Sequence, residues 1–212
     1  MTGWTKTFFL MMIIHPEMQR RAQAELDAVV GPDRLPIIQD RANLPYLGAI
    51  QKEIYRWAAI VPLGELFRAH FNVFYSLVHI GIPHCATEDI VYESHFIPKD
   101  SLLVNNIWYV KFLGTMFDAY TTNTRQIAHD PENYVDPMAF NPDRFLEGKT
   151  ILDPDTFVFG FGRRKCPGIE VAHSTLFIII ATCLAVFEFG HPKGADGKVE
   201  KLKEEFISGS VM

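Results

Sequence analysis

Apolar residues recur along this chain at changing spacings, and the changes mark its elements. Phe8 to Ile14 is a nearly continuous apolar segment that reads as the end of a buried helix. His15-Pro16 interrupts it, since proline suits a first helical turn. From Glu17 to Val30 the apolar positions Met18, Ala22, Leu26, Val29 and Val30 follow helical spacing, and Gly31-Pro32 ends the pattern. Residues 33–41 read as a loop with a short helix. Asn43-Leu44-Pro45 opens another helix, whose Leu47, Ile50, Ile54 and Trp57 make one apolar stripe. Ile82 to Val104 shifts to strands and turns, with turn chemistry at Tyr92-Glu93-Ser94 and at Ile97-Pro98-Lys99-Asp100. Pro131, Pro137 and Pro142 break regular structure before a long apolar run, Leu176 to Phe187, predicts a buried helix beginning near Ile169. From Glu188 the chain is polar and hairpin-like.

The 212 residues are 48% hydrophobic and 13% aromatic, enough for one domain with a core. A net charge of −5 without a long basic tract gives no reason to expect a nucleic-acid partner. The three cysteines, Cys85, Cys166 and Cys183, are odd in number and far apart, which points to a reducing compartment without a disulfide framework. The Leu176–Phe187 run is too short for a membrane span, and the N-terminal residues lack the profile of a signal peptide.

Candidate chemistry concentrates in Phe159 to Gly168, FGFGRRKCPG, where a cysteine lies among glycines, a proline and three consecutive basic residues. A thiolate is a strong ligand for iron and needs donors and positive charge nearby to stay deprotonated. Gly162 and Gly168 allow the backbone to bend near the sulfur, and the following helix N-terminus adds positive potential. Arg164 has the planar fork that pairs a ligand carboxylate. Taken alone, the stretch also reads as a basic turn with an ordinary thiol. Farther upstream, Glu53 and Arg56 are spaced to share one helical side, and Arg144 follows in the context FNPDRF. On spacing alone the bland reading of Glu53 and Arg56 is a solvated ion pair worth little.

The order Phe159, Gly162, Arg164, Cys166, Gly168 resembles the haem-binding loop of the cytochrome P-450 family, the haem-thiolate monooxygenases. The resemblance implies a mainly α fold with a small antiparallel β-sheet, the C-terminal part of the cytochrome P-450 fold, with residues 1–212 a partial domain. It implies heme b (iron protoporphyrin IX) with Cys166 as proximal iron ligand and catalytic thiolate, Phe159 packed beside the sulfur, and Arg164 on a propionate. His84 occupies the place of a second propionate ligand, although a lone histidine equally reads as a surface residue. Glu53, Arg56 and Arg144 are expected to form a structural triad that supports the haem without taking part in chemistry.

The implied reaction inserts one oxygen atom from O2 into an apolar organic substrate. Electrons would come from an NADPH-dependent flavoprotein reductase docked near Arg163 and Lys165. Full-length relatives of this kind sit on the endoplasmic reticulum membrane, facing the cytosol, through an anchor not seen in this chain. Two stretches, 65–81 and 110–126, interrupt the family pattern, and removing them leaves fluent text on both sides. We read them as introns translated in frame, which suggests a fungal source. The alternative function is a truncated, non-catalytic remnant with weak or no haem binding.

Overall fold

The computed structural model describes residues 2–58, 84–106, 121–123, 127–146, 151–194 and 197–202. Among the described residues four helices build the core: α1 (Thr2–Ile14), α2 (Pro16–Val29), α3 (Pro45–Trp57) and α4 (Ile169–Val186). They begin and end where the apolar periodicity changes. The His15 N–H still donates to the Met11 carbonyl at 2.8 Å, and Pro16 then starts α2 in the position where a missing N–H costs nothing. At the other end of α2 the Val30 and Gly31 N–H groups return to the Leu26 carbonyl, with Gly31 at a φ of 75°.

Helix α3 is the centre of the molecule. Ten of its residues are buried, Glu53 and Arg56 among them, so it has no solvated face along most of its length. Its N-terminus is closed by α2: the Glu25 carboxylate accepts the Tyr46 and Leu47 N–H groups at 2.8 and 3.0 Å. A carboxylate there satisfies two orphan donors and complements the helix dipole. Helix α4 buries His173, Leu176, Phe177, Ile180, Ala181 and Leu184 and packs on α1, α2 and α3. At 18 residues it is long and apolar enough to cross a bilayer, which corrects the shorter span read from its apolar run. Its packed face makes it a core helix here.

On α2 the buried residues are Gln19, Ala22 and Leu26, while Val29 is exposed. The periodicity reading placed Val29 inside and passed over Gln19. Gln19 is buried because its amide reproduces a backbone pair: it donates to the Phe189 carbonyl at 3.0 Å and accepts the Phe189 N–H at 2.7 Å.

The strands are short. β1 (His84–Cys85) pairs antiparallel with β4 (Leu102–Asn106), and β2 (Ile90–Tyr92) pairs antiparallel with β3 (His95–Ile97) around a turn with Glu93 at a φ of 53°. Both turns expected in this region are present. β5 (Thr121–Asn123) adds to β4 in parallel, so the three-stranded sheet β1-β4-β5 is mixed rather than wholly antiparallel. β5 falls within 110–126, the second of the two stretches read from sequence as interruptions. The rest of that stretch and all of 65–81 lie outside the described residues. An antiparallel bridge between Lys193 and Val199 matches the hairpin-like tail.

The turn at 38–43 carries a pH-sensitive clamp. The Arg34 fork donates to both Asp40 oxygens at 2.7 and 2.8 Å, and the Ile37 N–H adds a third bond at 2.9 Å. These donors, Arg34 first, hold the Asp40 carboxyl down to about 2. Its folded value lies below the unfolded one, so the contribution is complete above about pH 4 and is lost as pH falls through about 2. Urea midpoints should therefore decline across that acid window, and Asp40→Asn should remove part of the slope. Parallel acid profiles for the two proteins would show the clamp to be idle.

Candidate active site

The cysteine loop is built outward from a buried base. Asp153 caps a short 3-10 turn, Pro154–Thr156, by accepting the Asp155 N–H at 3.1 Å. Phe157, Val158 and Phe159 follow and are all buried. The Phe159 ring is enclosed by Trp4 of α1, Tyr55 of α3 and His173 of α4, with centroid distances of 5.6, 5.3 and 5.3 Å. Such edge-on and tilted aromatic contacts each contribute about 0.5–1.5 kcal/mol beyond area burial. Burial pushes the Tyr55 phenol up to about 12, the Gln51 amide that donates to it offsetting part of this.

After Phe159 the chain leaves the core. Gly160 (φ 82°) and Gly162 (φ 61°) both take left-handed conformations, with open space where a side chain would begin. The turn Gly162–Arg164 ends when Lys165 N–H donates to the Gly162 carbonyl. The Cys166 N–H then donates back to the Phe159 carbonyl at 2.8 Å, closing the loop on its buried residue. Cys166 itself is a free, exposed cysteine. Gly168 is the N-cap of α4 at an ordinary φ of −88°, and a Cβ built there would lie 3.8 Å from the Cys166 Sγ. The sulfur therefore sits beside the positive end of a helix. The bend expected of Gly168 is instead made by Gly160, which the motif reading did not single out. The alternation Phe-Gly-Phe-Gly was the available signal.

Arg164 lies in the turn, but its side chain is outside the described residues. Arg163 and Lys165 are exposed. His84 is an exposed residue of β1, opposite Leu103 of β4.

Glu53, Arg56 and Arg144 meet in the core, all three buried. Glu53 receives Arg56 Nε on Oε2 at 2.7 Å, and Arg56 Nη2 and Arg144 Nε on Oε1 at 2.8 and 3.2 Å. The Asn141 N–H adds a fourth bond at 2.7 Å. The guanidinium groups spend their remaining donors on backbone: Arg56 on the carbonyls of Ala128, Pro137 and Ala139, and Arg144 on those of Val135, Asp136 and Ala139, while Arg144 Nε–H is shared between Glu53 and the Asn141 carbonyl. Tyr134 lies against both, 5.2 and 5.9 Å from ring to guanidinium carbon. The arrangement excludes the solvated-pair reading. One carboxylate and two fixed forks pin a segment with no helix or strand to hold it.

Helix α3 joins this network to the cysteine loop. Lys52 reaches Asp153 at 2.6 Å, Tyr55 meets Phe159, and Glu53 and Arg56 hold the 128–141 segment. Lys52, Tyr55, Asp153, Asp155 and His173 were not among the residues singled out from sequence, because their partners are distant in the chain.

Known proteins resemble this chain in sequence and in fold. The cytochrome P-450 family model matches residues 4–71 and 74–210. Cytochrome P-450 monooxygenase 208 of Postia placenta is 42% identical over 208 residues, covering 97% of this chain and 34% of that protein. Cytochrome P-450 monooxygenase claR of Ampulloclitocybe clavipes is 40% identical, covering 96% of this chain and 32% of that protein. A zebrafish cytochrome P-450 structure with abiraterone superposes with a TM-score of 0.67 at 32% identity, covering 97% of this chain and 40% of that one. The chain spans about a third of the length of the curated relatives it matches. On its fold, its sequence and its family match, the chain belongs to the cytochrome P-450 family.

Proposed function

We propose that this chain carries the haem-holding part of a haem-thiolate monooxygenase acting on an apolar organic substrate with O2. The observation that supports it best is the cysteine loop: an exposed thiol, beside a helix N-terminus, on a glycine-jointed turn hung from a caged phenylalanine. Among the described residues no group of three or more His, Cys, Asp or Glu is arranged to hold a bare metal ion. Iron held by a porphyrin would need one further donor from the protein, and the exposed Cys166 sulfur would supply it. The donor set therefore fits heme b.

Cys166 would hold the iron, and Arg164 and His84 would pair the propionates. When bound, the haem supplies the O2-activating chemistry, which a thiolate ligand favours by donating electron density. The rest is the work of this chain. Phe159 keeps the loop closed, its carbonyl accepting the Cys166 N–H, and α4 begins beside the sulfur. Glu53, Arg56 and Arg144 fix the segment packed on α3. Arg163 and Lys165, both exposed, offer a basic surface for an NADPH-dependent flavoprotein reductase. Family members are commonly membrane-associated, and an endoplasmic reticulum setting is the compartment proposed for the whole protein. For 65–81 and 110–126 we keep the reading as retained introns; transcript sequences continuous through both with no splice sites in the gene would overturn it.

The test is the carbon monoxide difference spectrum of the chain reconstituted with haemin and reduced. A thiolate-type Soret band is expected, and Cys166→Ala should abolish it. A band that survives in Cys166→Ala means another ligand. Haem uptake without any thiolate band favours the non-catalytic remnant.

A further inference from the structure

His173 stands out as a buried polar residue on the apolar face of α4 to which the reading above gives no role. It lies four residues past the start of α4, which follows the cysteine loop directly. Its Nε2 is 3.1 Å from Asp155 Oδ1, and its Nδ1 is 3.5 Å from Arg41 Nη2. The tautomer with hydrogen on Nε2 meets both: Nε2–H donates to Asp155 and Nδ1 accepts from Arg41. The ring stacks on Tyr55 at 5.4 Å and touches Phe159 at 5.3 Å. Its own carbonyl accepts the Gln51 amide at 2.9 Å, tying that turn of α4 to α3.

These contacts span the loop from end to end. Asp155 lies on the turn where the loop begins, Phe159 is its buried pivot, and α4 is where it ends. We propose that His173 is a positioning residue, a brace that fixes the Phe159 carbonyl and through it the backbone of Cys166. Its relevance to iron ligation rests on the haem-thiolate reading; the brace itself does not. Without the Asp155–His173 bond the loop entry loses a polar tie to α4, and the Phe159 ring can then tilt within its cage. The Phe159 carbonyl moves with it and the Cys166 N–H loses its acceptor.

Amide hydrogen exchange at Cys166, measured by NMR on the 212-residue chain without haem, reads this directly. His173→Phe keeps a ring and removes the bond to Asp155; Asp155→Asn weakens the same bond from the other side. Both should accelerate exchange at Cys166 about tenfold, the effect of losing one hydrogen bond to a charged group, and leave the Ile54 amide in α3 within about twofold. His173→Gln, which can still donate to Asp155, should recover part of the protection. Val171→Ala, an exposed site on the same helix, should change nothing. Equal acceleration at Cys166 and Ile54 would show only general loosening, and no change at Cys166 would remove the brace; either overturns the proposal. With haem added, the thiolate share of the carbon monoxide spectrum should fall in His173→Phe and Asp155→Asn. If the unmodified chain gives no thiolate band, the haem reading fails while the exchange result still decides the brace.

Discussion

Glu53→Ala is expected to unfold the chain or leave it barely folded, at a cost of about 3–5 kcal/mol. The carboxylate is fully buried and is the shared acceptor for Arg56, Arg144 and the Asn141 N–H. Removing it leaves two guanidinium charges in the core with no counter-charge, the costly half of a broken buried pair. A domain's whole stability is about 5–15 kcal/mol, so little would remain. Glu53→Gln separates charge from shape: one oxygen acceptor persists, but the second position now presents a donor to Arg56 Nε. It should fall between the wild type and Glu53→Ala. Denaturant unfolding followed by circular dichroism measures all three. A loss under about 1 kcal/mol for Glu53→Ala is what a water-screened pair would give, and would mean the network is not sealed.

What could be read from sequence divides by how local its cause is. Helices α1 to α4 were legible because apolar spacing, Pro16, Pro45 and the Gly31 stop are all nearest-neighbour signals. The cysteine loop was legible because its residue types are dictated by backbone conformation within ten residues. Even there, the second left-handed glycine, Gly160, was missed in favour of Gly168, whose φ is ordinary. Glu53 and Arg56 were spaced to pair, but spacing says nothing about solvent. Burial came from carbonyls near residues 128–139, irregular backbone that no periodicity predicts. Gln19 on α2 and His173 on α4 are the same lesson in single residues. Each is polar and buried because a partner far along the chain satisfies it, Phe189 for one and Asp155 for the other. The mixed sheet was illegible for a further reason: β5 is three residues long, too short to carry an alternation of its own.

Phe159→Ala is the second large effect, expected at about 3–5 kcal/mol for truncating a buried ring. The ring meets Trp4, Tyr55 and His173, one residue from each of three helices, so the cavity cannot be filled by moving any single neighbour. Phe159→Leu conserves more of the volume and should cost appreciably less, about 1–2 kcal/mol. The two variants also separate stability from ligation. Leucine still fills the pocket and keeps the Phe159 backbone, hence the Cys166 N–H acceptor, near its place; alanine leaves the loop without a pivot. Thermal unfolding should rank them wild type, Leu, Ala, while the thiolate band with haem and carbon monoxide should persist in the leucine protein and be mostly lost in the alanine protein. Equal loss of the band in both would mean that the aromatic ring acts on the sulfur itself and not through the backbone it holds.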